Sequence, residues 1–291
     1  MLDVYTNMFK QYLKHMFKYI QNPLLYMQTL LNEMTLEETA IQFLKDNEPE
    51  EGYILAFSGG KDSMVIYDLA KKSGVKFHAY YANTTIDPPE IWDFINKYYP
   101  EIEKKSPKRS MFSSIVKHGT PPTRMIRFCC DELKEIHGWG HTIILGVRAC
   151  ESAARRNRST FYESYKHKGT FFCCPIYHWL DLDVWEYIKS NNMPYCKLYD
   201  EGFKRIGCVM CPLNSEGMIR EAKRYPRVYK QYLRTFDKML KKRKKPFNCA
   251  KTQTPEGVMQ WWLHLSDDKF QALHNEIMET KSEVDNRFEF E

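Results

Sequence analysis

The sequence predicts an α/β fold, a doubly wound and mostly parallel sheet with helices on both faces, extended by helices at its N-terminal and C-terminal ends. Three observations carry that expectation. A short apolar run, Tyr53 to Phe57 (YILAF), is followed by a helical pattern over 62–72 and a second strand-like run over 76–81, which together make a βαβ unit. Pro88-Pro89 then open a helix through Lys97, because proline suits a first helical turn. HTIILG supplies a further buried strand over 142–145. Ligands of such folds bind beyond the carboxyl ends of the strands, so the loops after residues 57, 81 and 145 are expected to converge on one edge.

Upstream of this core, Val4, Met8, Tyr12, Leu13, Met16, Phe17 and Ile20 fall at helical spacing, and Pro23 follows them. Thr35-Leu36-Glu37-Glu38 is a capping box that opens a second helix through about Leu44. The expected organisation is a helical appendage over 1–50, a core domain over 51–215 and a C-terminal helical region over 216–291. No run approaches the ~18 consecutive apolar residues of a membrane span. The first residues also lack the uninterrupted apolar stretch of a signal peptide, so the expectation is a cytoplasmic chain without membrane contact.

The loop after the first strand is Ser58-Gly59-Gly60-Lys61-Asp62-Ser63. Adjacent glycines permit positive φ and leave no Cβ in the way of a ligand, so backbone N–H groups can converge on phosphate oxygens at a helix N-terminus. The Walker A pattern does not fit, since Asp62 rather than Ser or Thr follows the lysine. The loop after the second strand, Asn83 to Glu90, offers Asn83 and Thr85 for ribose or base contacts, though the same residues serve ordinary turn chemistry. After the third strand comes GVRACESAARRNR. There Gly146 allows the backbone to turn, and the fork of Arg148 suits phosphate.

Nine cysteines, with adjacent pairs at Cys129-Cys130 and Cys173-Cys174 and a CxxC at Cys208 and Cys211, argue for a reducing compartment and metal ligation rather than disulfides. Cys129, Cys130, Cys208 and Cys211 suffice to hold a [4Fe–4S] cluster, and zinc accepts the same set. Cys173-Cys174 lies in an apolar stretch; it reads as core, or as a substitute if one of the four is not a ligand. Between Arg220 and Lys245 twelve Lys or Arg stand against two acids, whereas the whole chain is only +6. Tyr225, Tyr229, Tyr232, Phe236 and Leu240 are expected to face the core there, leaving a one-sided basic helix that can track a nucleic-acid backbone. A solvated charged helix gives the same run.

These motifs resemble a known family. SGGKDS resembles the pyrophosphate-binding loop of the ATP pyrophosphatases, and Arg148, Glu151, Ser152 and Arg155 resemble the G-x-R-x-x-E-S-x-x-R motif of their sulfonucleotide reductase branch. PIYHWLDLDVWEYIKSNNMPYCKLYDEGFKRIGCVMCP, residues 175–212, resembles the phosphoadenosine phosphosulfate reductases. The double cysteine with a later CxxC is similar to the cluster pattern of adenosine phosphosulfate reductases and of DNA phosphorothioation enzymes.

The resemblance implies ATP and Mg²⁺ at Ser58, Gly59, Gly60, Lys61, Asp62, Ser63, Asn83, Thr85, Gly146, Arg148, Glu151 and Arg155. Lys61, Asp62 and Arg148 would be catalytic, in a reaction that releases pyrophosphate and attaches AMP to an acceptor. It also implies sulfur transfer, with tRNA or DNA as acceptor and a donor such as a cysteine desulfurase. Two alternatives stand beside this reading. A sulfonucleotide reductase would need a cysteine nucleophile, most plausibly Cys249, which lacks the Glu-Cys-Gly setting of the reductases. A non-catalytic, nucleotide-sensing nucleic-acid-binding subunit would keep the cluster as a structural element.

Overall fold

The computed structural model describes residues 34–135, 137–247 and 250–280. The helix expected over 3–20 and Cys249 lie outside the described residues. The described chain forms two compact units, one from residues up to 81 with 138–195, the other from 82–137 with 196 onward. A six-stranded sheet runs in the order β3-β2-β1-β4-β6-β5, with β1 at Tyr53–Phe57, β2 at Phe77–Ala82, β3 at Glu103–Lys105, β4 at Thr142–Ile144, β5 at Phe161–Glu163 and β6 at Phe171–Cys173.

In the first unit β1 is the hub. It pairs in parallel with β2 on one side (Leu55 opposite Ala79) and with β4 on the other (Leu55 opposite Ile144). The order therefore reverses beside β1, which is where doubly wound sheets open a crevice for ligands. β4 pairs in parallel with β6, while β5 runs antiparallel to β6. Helix Lys61–Ser73 buries Met64, Val65, Ile66, Leu69 and Ala70 without residual exposure and stops at Gly74, whose φ of 76° supplies the left-handed C-cap.

Helix Leu36–Asp46 opens on the expected capping box, with Thr35 and Glu38 bonded reciprocally. It buries only Ala40 and Leu44, too little to hold it by packing alone. Two polar ties add to that packing: the Tyr53 hydroxyl donates to the Leu44 carbonyl at 2.8 Å, and Lys72 Nζ reaches Glu37 at 2.8 Å.

The second unit is mainly helical, and its core is built on helix Pro226–Lys242. Tyr229, Tyr232 and Phe236 are fully buried on its inner face. The Tyr232 ring centroid stands 5.1 Å from Phe112 and 4.8 Å from Trp262, whose indole N–H donates to the Pro122 carbonyl at 2.6 Å. Helices Met111–His118, Pro255–Leu263 and Asp267–Glu279 complete this core. The basic segment is two helices, because Pro226 cannot extend Met218–Arg224 and Tyr225 breaks the helical backbone at φ −128°, ψ 67°. Among the described residues no helix is long and apolar enough to cross a membrane.

Tyr53→Phe is expected to lower the unfolding free energy by about 1 kcal/mol, since it strips the buried Leu44 carbonyl of a donor. Urea titration of variant and parent checks this, and an unchanged midpoint would show that the tie contributes nothing.

Candidate functional site

The Ser58–Ser63 loop turns tightly between β1 and helix Lys61–Ser73. Gly59 sits at φ 71°, where a side chain is strained, and Gly60 is the N-cap. The serines close the turn on itself: Ser63 Oγ accepts from Ser58 N at 3.2 Å and donates to the Gly60 carbonyl at 2.8 Å. Serine is therefore used here to shape the cradle, while the helix start presents the amides that no helical carbonyl can satisfy.

Four charged side chains of the first unit meet beside this turn. Lys61 Nζ lies 3.1 Å from Asp62 and 3.0 Å from Asp181, and Arg148 reaches Asp62 through Nε at 2.7 Å and Asp181 through Nη2 at 2.9 Å. Lys61 is 5% and Arg148 3% exposed, whereas the Asp181 side chain is 64% exposed. Both cations are thus buried beneath one water-accessible carboxylate. Burial disfavours charge on each, and the two carboxylates offset that cost. Burial also opposes ionisation of Asp181, but Lys61 and Arg148 more than compensate and hold its carboxyl below the ordinary range. The Arg148 Nε to Asp62 Oδ1 contact is short yet poorly aligned, so both buried atoms lack a proper hydrogen bond.

Gly146 makes this meeting possible. A Cβ there would stand 3.0 Å from the backbone carbon and the Cβ of Asp62, so the loop after β4 packs directly on the first turn of the helix. The sequence gives Gly146 as a turn towards a ligand; in the structure Asp62 is the close neighbour there. Glu151 and Arg155 hold the same loop, for the Glu151 carboxylate accepts from Arg148 N at 2.9 Å and pairs with the Arg155 guanidinium. Cys150 lies 3.3 Å from Arg148 Nη1. Asp181 escaped the sequence reading altogether. Its signal was a carboxylate in the first turn of the LDLDVW helix, which reads equally as capping.

Asn83 and Thr85 belong to the second unit. Asn83 Oδ1 accepts from Thr85 N at 2.8 Å, and Thr85, at φ 67°, accepts from Met111 N through its hydroxyl at 3.0 Å. Both polar groups are engaged in the turn. Thr84, between them, is the fully buried one, and its hydroxyl lies beside Cys208 without a well-formed hydrogen bond. The loop continues onto the CxxC turn, where the Ile86 carbonyl accepts from Val209 N at 2.9 Å.

Cys129, Cys130, Cys208 and Cys211 are all partly exposed thiols of this unit, near enough to shift one another's ionisation. Among the described residues, however, no three His, Cys, Asp or Glu stand together at metal-binding separation. The chemistry of the donor set nevertheless fits a cluster. Cys129 donates to Cys130, which with the Arg127 guanidinium brings Cys130 down to about 5. Burial raises Cys208 to about 12, tempered by the Lys134 ammonium. Two cations thus flank thiols that would carry negative charge as ligands. The CxxC turn is held by Glu221, whose buried carboxylate accepts from Met210 N at 2.5 Å and from Asn214 at 3.0 Å while Met210 takes a left-handed φ of 58°. Cys173 and Cys174 are buried in the first unit, and burial pushes each thiol up to about 12, as core thiols behave.

Residues 52–214, more than half the chain, match the family described as the phosphoadenosine phosphosulfate reductase domain. The chain belongs to that family. Its relatives include adenosine 5'-phosphosulfate reductases of Oceanobacillus iheyensis, 31% identical over 54% of this chain and 70% of the relative, and of Bacillus subtilis, 31% identical over 57% and 74%. An uncharacterized protein of Methanocaldococcus jannaschii is 26% identical over 77% of this chain, which spans about half (49%) of that relative's length. Among solved structures, a phosphoadenylyl-sulfate reductase from Candida auris has a TM-score of 0.46 at 20% identity, covering 65% of this chain and 95% of that one.

With two cations and two carboxylates the quartet is neutral, and any phosphate must compete with Asp181. Asp181→Asn is expected to tighten inorganic pyrophosphate binding several-fold in calorimetry. Unchanged or weaker binding would show that the buried cations are not the anion site.

Proposed function

We propose that this chain binds ATP at Ser58–Ser63 and cleaves it between the α and β phosphates, attaching AMP to an acceptor oxygen as the activating step of a sulfur transfer. The observation that carries this reading is the pair of buried cations, Lys61 and Arg148, converging on Asp181 beside an intact SGGKDS turn. The helix amides and Lys61 hold the β and γ phosphates and stabilise the leaving pyrophosphate. Arg148 faces the α-phosphate. The acceptor oxygen bonds to the α-phosphorus, the bridging P–O bond breaks with its electron pair leaving on pyrophosphate, and the acceptor proton passes to water.

Asp62, whose Oδ1 lacks an aligned partner, would hold Mg²⁺ together with phosphate oxygens, and the ion would supply charge neutralisation. Cys129, Cys130, Cys208 and Cys211 would hold a [4Fe–4S] cluster, which supplies soft iron able to bind sulfur. The adenylated carbon is then open to displacement of AMP by sulfur from a donor such as a cysteine desulfurase. The basic helix favours a nucleic acid as acceptor.

One specific observation favours a second reading, reduction of adenosine phosphosulfate: the relatives that carry that name. Anaerobically purified protein separates the two by its substrates. ATP-dependent pyrophosphate release with tRNA or DNA, falling roughly 100-fold in Lys61→Ala, is the expected result. Release that persists in Lys61→Ala would overturn the site, and consumption of adenosine phosphosulfate with thioredoxin and no ATP would replace the reaction. ATP binding without release under any acceptor would leave a sensing subunit.

A further inference from the structure

The outer face of helix Pro226–Lys242 carries more charge than helix stability accounts for. Arg234, Lys238 and Lys242 are exposed and follow one another at four-residue intervals, so the three cations stack on one face. Like charges at this spacing destabilise a helix. Lys242 lies in the last turn, where a cation complements the helix dipole, but Arg234 and Lys238 lie before it and Lys244 and Lys245 beyond it. Among the described residues no carboxylate pairs with Arg234, Lys238, Lys242, Lys244 or Lys245. By contrast, Lys241 pairs with Asp237 at 2.7 Å and Lys223 with Glu276 at 2.6 Å. The cations further run into a cavity of about 360 Å³ lined by Lys117, His118 and residues 242–245, where Glu132 already engages Lys117 and His118.

We infer that Arg234, Lys238 and Lys242, with Lys244 and Lys245 at the cleft, form a docking surface for the phosphate backbone of a nucleic-acid duplex. The stripe is about 12 Å long at 1.5 Å per residue, comparable to the axial rise of three to four base pairs at about 3.4 Å each. A duplex fits better than a single strand because single-strand surfaces present aromatic rings for stacking, whereas Tyr229, Tyr232 and Phe236 of this helix are all buried. Contact of this kind reads charge and shape, not sequence. The inner face of the same helix lies against the CxxC turn, with the Tyr232 hydroxyl 3.5 Å from the Val209 carbonyl. The inference rests on the reading of a nucleic acid as acceptor, but it concerns binding alone.

The test is fluorescence anisotropy of 20-base-pair DNA and RNA duplexes with the full chain, without ATP, across salt concentrations. With five cations engaged, the slope of log K against log salt is expected near −4.5, at about −0.9 per phosphate neutralised. The triple variant Arg234→Gln, Lys238→Gln, Lys242→Gln is expected to flatten it to about −2. Equal binding and slope in the variant overturn the inference, as does stronger variant-sensitive binding to anionic phospholipid vesicles. Duplex binding lost in the variant but without pyrophosphate release in the parent upholds the surface while removing the nucleic acid as acceptor.

Discussion

Two side-chain cations almost closed off from water cannot stand without counter-charge, and the architecture of the first unit can be read as the means of providing it. Lys61 comes from the helix after β1 and Arg148 from the loop after β4. These strands are neighbours at the reversal of the sheet order, so their loops are obliged to meet. Gly146 sets how closely they meet, and Asp181, at the start of another helix, closes the set from the solvent side. If the parallel pairing of β1 with β4 were lost, Arg148 would lose Asp62, while Lys61 would keep that carboxylate as its neighbour on the same helix.

Much of the fold was legible in the sequence, because the alternation of β-rich runs with helical periods survives the covering of the sheet on both faces. Strand and helix positions around SGGKDS shift by only a residue or two between expectation and structure. Periodicity could not register the break at Pro226, since the tyrosines at 225, 229 and 232 keep a helical spacing across it. The site was half legible. Lys61, Asp62 and Arg148 announce themselves by motif, but Asp181 looks like a helix cap until the fold brings it to the two cations. Glu151 and Arg155 stood out in the same motif, and in the structure they pair with each other beside Arg148.

The loop after β2 shows how polar residues picked out by motif position also build the turn. NTTIDPPE offers several polar groups, and the attractive ones by chemistry are Asn83 and Thr85. The chain uses both to shape the turn and buries Thr84 against Cys208 instead. Burial of that hydroxyl follows from a tertiary contact, the Val209 amide on the Ile86 carbonyl, that no local pattern encodes.

Neither unit is a continuous length of chain, and that has a consequence for biosynthesis. The segment carrying Cys129 and Cys130 leaves the ribosome well before the segment carrying Cys208, Cys211 and the central helix of its own core. Until about eighty more residues have been made, the CxxC turn is absent, and the central helix of that core follows later still. The first unit, complete at residue 195, is finished first. A chain stopped at residue 195 would therefore hold every strand of the first unit and none of the second unit's central helix.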